Sequence, residues 1–292
     1  MSGSASTSPS RSPSPSPSPS PAQSLRLAEI HVYPLKGARG ITLERAEVRI
    51  TGLAHDRRFM ILGDDGRFVT QREEPRLALL ETAIRGDELV LSAPGCGDAA
   101  LPLLPHTEGL PRRAVNVFDD ATFAVAIEGP ANDLVSRHLG RAVTIVFMPD
   151  DVERPVESPY GAPGDRVFFA DAYPVLLATR ASLAELNGRL TTPLPMNRFR
   201  PNLVVEGGEA WEEERFGRAR VGALSLRMPK RCSRCSVTTV DQATAEVGKE
   251  PLRTLATYRA ESNKVYFAQN AIPDAPATIA IGDEVAYLDP KP

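Results

Sequence analysis

Apolar residues along the chain fall in short runs broken by turn-forming residues, which is the spacing of strands and not of long helices. Leu25, Leu27, Ile30 and Val32 predict a first strand that ends at Tyr33-Pro34. Ala46–Ile50, Arg58–Leu62, Leu77–Ile84, Glu88–Ser92 and Thr122–Ile127 read as further strands. Gly63-Asp64-Asp65-Gly66, Gly86-Asp87 and Pro94-Gly95 are the turns between them. One helix is expected at the end of this half. Pro130 suits its first turn, Leu134, Val135, His138 and Leu139 share a face, and Gly140 stops it before a strand at Ala142–Phe147. Many short strands at close spacing favour a barrel or sandwich over a βαβ sheet.

Met148–Asp165, rich in proline and charge, reads as a linker or long loop. The second half opens on the apolar run Pro174–Ala178. A helix follows from about Thr179 to Leu190, with Leu183, Leu186 and Leu190 on its inner face. Strands are expected at Asn202–Glu206, Ala223–Met228 and Ser236–Val240, then a short helix from Pro251 carrying Leu252 and Leu255. Lys264–Gln269, Ala277–Ile281 and Glu284–Leu288 complete the pattern, with a tight turn at Gly282-Asp283. No internal repeat is visible. The chain therefore reads as β-rich α+β in three parts: residues 1–24, 25–148 and 149–292.

Composition changes this picture mainly at the N-terminus. Of residues 1–24, eleven are serine and six are proline. That predicts a disordered, extended tail, because so little apolar surface can be buried. It fits neither a secretory signal nor a typical mitochondrial presequence. The remainder is globular: 42% of the 292 residues are hydrophobic and 24% charged. A net charge of −3 gives no general electrostatic case for binding nucleic acid or an anionic membrane. No apolar run approaches a membrane span. Three cysteines do not make a disulfide framework, so a reducing compartment, most simply the cytoplasm, is expected.

Two of those cysteines lie in Lys230-Arg231-Cys232-Ser233-Arg234-Cys235, running into Ser236–Val240. Structural zinc needs four ligands, usually two close pairs. Cys96, His31, His55, His106 and His138 supply no second pair. A thioredoxin-like redox pair needs a helix after its first cysteine, whereas Ser-Val-Thr-Thr-Val prefers a strand. Lys230, Arg231 and Arg234 are expected to lower a thiol pKa and could hold an anion.

The run Cys-Ser-Arg-Cys-x-x-Thr-Thr-Val-Asp resembles the signature of the MOSC superfamily (molybdenum cofactor sulfurase C-terminal domain), and more narrowly that of the amidoxime-reducing components and their bacterial relatives. Tyr33-Pro34-Leu35-Lys36-Gly37, Asp56-Arg57-Arg58-Phe59, Thr70–Arg76 and Asn197-Arg198-Phe199-Arg200-Pro201-Asn202 resemble further elements of that family in the same order. Lys249-Glu250-Pro251-Leu252 and Ile281-Gly282-Asp283 also fit. The likeness covers about Leu25 to Leu288. It implies an N-terminal β-barrel-type domain, then a MOSC β-barrel with peripheral helices, and a cofactor in the cleft between them.

The resemblance also implies roles. Cys235 is the position that ligates molybdenum, a soft thiolate suited to that metal, while Cys232 is structural or supports the ligand. Lys36, Arg57 and Arg200 match positions that grip the phosphate of the molybdenum cofactor (Mo-molybdopterin). Gly37 stands in that grip where the family usually has Ser, and so lacks its hydroxyl. Ser233 and Arg234 would add donors, Asp171 and Asn270 lie near the pterin, and Arg72 is near the entrance or paired with Glu73 or Glu74. Ala172-Tyr173 replace a hydroxyl-bearing pair, and Gln242 replaces a frequent Pro.

The activity implied is reduction of small N-hydroxylated or N-oxide compounds, with two electrons and two protons releasing water. The chain has no plant-type iron–sulfur cysteine cluster, so the electrons are expected from a separate ferredoxin, flavoprotein or cytochrome. The alternative within the superfamily is a cofactor-binding or sulfur-carrier protein with a persulfide on Cys235. A third reading, pyridoxal-phosphate binding, would need a Schiff-base lysine, for which Lys36 is the nominee.

Overall fold

The computed structural model describes residues 24–156 and 159–291. The tail expected over residues 1–24 falls, but for Ser24, outside the described residues. The fold is strand-rich α+β, as the spacing of apolar runs predicts. Its largest sheet has nine strands. In spatial order eight of them are Val285–Pro290, Phe216–Val221, Leu224–Ser233, Lys264–Pro273, Val175–Thr179, Leu203–Glu206, Arg26–Val32 and Ile41–Leu43. Ala260–Glu261 pairs beside Lys264–Pro273. Neighbours are antiparallel except Val175–Thr179 and Leu203–Glu206, which run parallel and are connected through the helix Arg180–Asn187. Thr179 caps that helix by accepting from the Ser182 amide.

A four-stranded sheet is formed by Phe59–Gly63, Val143–Phe147, Asp120–Ile127 and Arg112–Val117. Glu81–Arg85, Glu88–Ala93 and Gly97–Pro102 form a meander. The helix Pro130–Leu139 covers it with Leu134, Val135 and Leu139 buried, and ends at Gly140 in the left-handed region (φ 68°). Early and late segments share sheets. Arg26–Val32 pairs with Leu203–Glu206, and Arg45–Arg49 pairs with Ala277–Ala280. The core inside the large sheet accordingly mixes Leu27, Ile30 and Val48 with Leu177, Leu203, Leu226 and Ala271.

Two segments differ from their expected form. Leu77–Ile84 is not one strand: Pro75–Leu79 is a 3₁₀ turn and the strand begins at Glu81. Pro75 sets the turn and Leu77 and Ala78 bury its inner side. Ser236–Val240 is also not a strand. Ser236–Thr239 is a 3₁₀ turn, stabilised by hydroxyls that reach back three residues: Thr238 Oγ1 donates to the Cys235 carbonyl at 3.0 Å and Thr239 Oγ1 to the Ser236 carbonyl at 2.8 Å. Local hydroxyl bonding overrides β-branched propensity here. The described residues of Met148–Asp165 form a long loop, as expected, and it is tied down. Val152 and Val156 are buried, and Arg154, 2% exposed, donates to the carbonyls of Phe168, Ala170 and Asp171 and to the Asp120 carboxylate.

Candidate functional site

The chain leaves the large sheet at Val32 and runs beside Arg57–Phe59. The Arg57 amide donates to the Tyr33 carbonyl, Phe59 N to Pro34 O and Lys36 N to Phe59 O. This ladder sets Lys36 and Arg57 side by side. The Tyr33 amide donates to Asp56 Oδ1 at 2.8 Å and fixes the acidic partner of Arg57. Phe169 N donates to the Arg57 carbonyl, bringing Asp171 alongside. From the other side comes Arg200, after the 3₁₀ turn Met196–Arg198. Arg198 ties that turn to the cysteine segment by donating from Nε to the Thr238 carbonyl at 3.0 Å.

These pieces surround one cleft of ≈ 890 Å³, measured to its open mouth. Lys36, Gly37, Arg57, Asp171, Arg200, Arg234, Cys235 and Asn270 all line it; Ser233 does not, and is exposed at the strand end. Five cations line the cleft (Lys36, Arg57, Arg72, Arg200 and Arg234) against a single carboxylate, Asp171.

Each cation is held differently. Lys36 is buried and donates to the Phe169 carbonyl at 2.7 Å and to Asp171. Burial pushes the Lys36 ammonium below its ordinary value although Asp171 pulls the other way. Burial would push the Asp171 carboxyl up, but Lys36, Arg57 and Arg72 hold it at about 2, so it is ionised at any working pH. Burial likewise opposes charge on Arg57, yet Asp56 keeps its pKa raised. Arg57 also donates to Asn202 Oδ1 at 3.2 Å and to the Arg200 carbonyl at 3.3 Å. The guanidinium groups of Arg57 and Arg200 lie 4.5 and 4.3 Å from the centre of the Tyr33 ring.

Arg200 is the outlier. Among the described residues it has no carboxylate partner, and its one side-chain acceptor is Gln242 Oε1 at 3.5 Å. Burial, with repulsion from Arg57, pushes its pKa down to about 10. Both arginines are non-glycine residues in the left-handed region, φ 48° for Arg57 and 53° for Arg200, a backbone strain typical of functional positions. Gly37 has φ 89°, and a Cβ there would meet Leu77 Cδ1 at 3.0 Å. The glycine in place of Ser thus fits a turn that an L side chain would strain.

Cys235 lies two residues beyond the end of the strand Leu224–Ser233 and directly precedes the 3₁₀ turn. The basic neighbours do not depress the Cys232 thiol as expected. Burial pushes it up, and Arg234, whose Nη1 donates to Cys232 Sγ at 2.9 Å, offsets this only in part. Arg231 pairs with Glu261, and the Lys230 ammonium lies over the rings of Tyr160 and Tyr173. Arg234 Nη2 donates to the Phe199 carbonyl at 2.8 Å, while its buried Nε has no partner. Asn270 Nδ2 reaches the Arg231 carbonyl at 3.4 Å. Arg72 pairs with neither Glu73 nor Glu74, the latter taken by Arg76. It lies over Phe118, 4.7 Å from the ring centre, at the mouth.

Sequence reasoning did not nominate Asn202, Gln71, Phe68 or Phe118. Asn202 stood in a quoted motif, a usable signal; its Oδ1 also accepts from Leu176 N at 3.1 Å. Phe68 and Phe118 pack edge to face, with ring centres 5.1 Å apart, and both face Lys36. Among the described residues no group of three or more His, Cys, Asp and Glu could hold a metal ion, and no helix is long and apolar enough to cross a membrane.

A strand-rich fold with this cleft defines the class. Residues 24–142 match the MOSC N-terminal beta barrel domain and residues 164–286 the MOSC domain. The human protein named mitochondrial amidoxime-reducing component 1 is 32% identical over 285 residues, covering 90% of this chain and 82% of its own. The Danio rerio protein of that name is 34% identical over 248 residues, covering 80% and 74%. Mitochondrial amidoxime reducing component 2 of Bos taurus is 32% identical over 252 residues, covering 80% and 72%. The chain belongs to the amidoxime-reducing-component family of MOSC-domain proteins.

Proposed function

We propose that this chain is a molybdenum-cofactor-dependent reductase of small N-hydroxylated or N-oxide compounds, supplied with electrons by a separate redox protein. The observation that carries the reading is the charge of the cleft: five cations face one carboxylate, and Arg200 is recessed there with no ion-pair partner among the described residues. Leaving such a cation unpaired is costly. An anionic group seated beside it relieves that cost, and the phosphate of Mo-molybdopterin fits. The donor set fits too. Among the described residues no group of three or more His, Cys, Asp and Glu could hold a metal ion, so a metal here would take the Cys235 thiolate and its other ligands from the cofactor.

When bound, the cofactor supplies the two-electron chemistry at nitrogen. The chain's own residues do the rest. Arg200 and Arg57 present guanidinium donors to the phosphate, and the spare N–H of Lys36 adds a third charge. Asp171, ionised throughout, keeps that ammonium fixed. Asn270 and the Arg234 guanidinium line the cleft where the pterin would lie, and Cys235 Sγ would hold the metal. Phe68, Phe118 and Arg72 form the mouth through which a small substrate enters. Lys36 is committed to Asp171 and the Phe169 carbonyl, which speaks against a Schiff-base lysine and pyridoxal phosphate.

The test is to produce the protein in a host that makes the cofactor, measure molybdenum, and supply an amidoxime with a reduced electron carrier. Molybdenum near one atom per chain, amidine formation, and no turnover with nicotinamide cofactor alone are expected. Metal-free protein carrying labile sulfane sulfur on Cys235 would refute the reductase and favour the sulfur carrier.

A further inference from the structure

Two buried side-chain amides pair beside the cleft: Gln71 lines it and Gln242 lies behind Gln71. Gln71 is 2% exposed and Gln242 5% exposed, and they lie 171 positions apart in sequence. They pair reciprocally: Gln242 Nε2 donates to Gln71 Oε1 at 2.9 Å, and Gln71 Nε2 donates to Gln242 Oε1 at 3.2 Å. Each spare N–H goes to backbone, from Gln71 to the Gly37 carbonyl at 2.6 Å and from Gln242 to the Val240 carbonyl at 3.1 Å. Every amide hydrogen of the pair is therefore used. Gln242 Oε1 is also the acceptor nearest Arg200 Nη1, at 3.5 Å, and the Gln242 carbonyl accepts from Arg39 Nη2 at 3.0 Å.

The consequence is mechanical. One buried amide dimer joins the Lys36-Gly37 turn, the Thr70–Arg72 loop, Arg200, and the segment that follows Cys235. These are the phosphate grip, the mouth and the thiol-bearing turn. Among the described residues no carboxylate aims Arg200: the Tyr33 ring packs against its guanidinium and the Gln242 oxygen is the side-chain acceptor that it faces. A proline at position 242 could do none of this, since it has no side-chain amide. We propose that Gln71 and Gln242 form a clasp across the cleft that positions Arg200 for anion binding. The inference rests on the anion-grip reading of Arg200 but not on the metal or on turnover.

The test uses Q71A, Q242A, the double variant, and Q242P. Inorganic phosphate is titrated into each cofactor-free protein, and its affinity is read from the rise in Tm. Retained pterin is measured separately on protein made with cofactor. The clasp requires phosphate to bind about tenfold more weakly in each single variant, as expected for losing one hydrogen bond to a charged group. The double variant should be no weaker than either single, because each change already breaks the same pair. Q242P also removes the side-chain amide and should bind phosphate as weakly as Q242A; a cooperative melt in each variant shows that it is folded. Equal phosphate affinity in wild type and variants, with only Tm lowered, would make the pair merely structural and overturn the proposal. Absence of any phosphate response in the wild type would overturn it as well. Molybdenum and amidine formation in the wild type judge the reductase reading independently of either outcome.

Discussion

Glu213 allows a quantitative prediction. It is fully buried beneath the large sheet and accepts from Ser182 Oγ at 2.8 Å and from Thr179 Oγ1 at 3.4 Å. Burial pushes its carboxyl from the ordinary 4.5 up to about 7, with these hydroxyls pulling only partly back. The folded state thus holds the proton more tightly than the unfolded state. Stability from this group is fully present below pH 4.5, falls as pH rises, and is lost above pH 7. The gap between 4.5 and about 7 corresponds to about 3 kcal/mol at pH 8, and under about 1 kcal/mol near pH 5. E213Q keeps an acceptor for Ser182 and carries no charge. At pH 8 it should melt roughly 5–10 °C above the wild type, and near pH 5 at about the same temperature. Thermal denaturation followed by circular dichroism at both pH values decides this. Parallel pH dependence of the two proteins would show that Glu213 ionises normally in the fold, and the reasoning would fail.

Other expectations can be checked together. R154M should lower stability by about 3–5 kcal/mol in chemical denaturation, because one buried cation serves three carbonyls and Asp120. Phe118 occupies a two-residue hairpin turn at φ 55°. F118G should therefore be as stable as the wild type or up to about 1 kcal/mol more stable, despite losing the Phe68 contact. R200A should reduce the pterin retained after gel filtration at least tenfold, by loss of a charge-assisted contact. Retention equal to wild type would remove Arg200 from the grip.

How much of this was legible depends on range. The helix Pro130–Leu139 was readable to its ends, since Pro130, Gly140 and the spacing of Leu134, Val135 and Leu139 are local signals. The strand Arg112–Val117 was not. It is an edge strand with only Val115 and Val117 buried, and Arg112, Arg113 and Asn116 mask the alternation. Ser236–Thr239 misled because β propensity says nothing about hydroxyls bonding back to the preceding turn. At the cleft, the residues singled out from the sequence line one cavity, Ser233 excepted. Gln71 and Gln242 were beyond reach as a pair, because nothing local reports a partner so far away in sequence. The same distance hid the pairing of Arg45–Arg49 with Ala277–Ala280.

The central claim is that Cys235 Sγ bonds the molybdenum of the cofactor. X-ray absorption at the molybdenum edge, on wild-type holoprotein and on C235S made in the same host, tests it most directly. The account predicts a sulfur neighbour in the wild type that C235S lacks, with pterin still detectable in the variant through Lys36, Arg57 and Arg200. Identical sulfur coordination in the two proteins would contradict it.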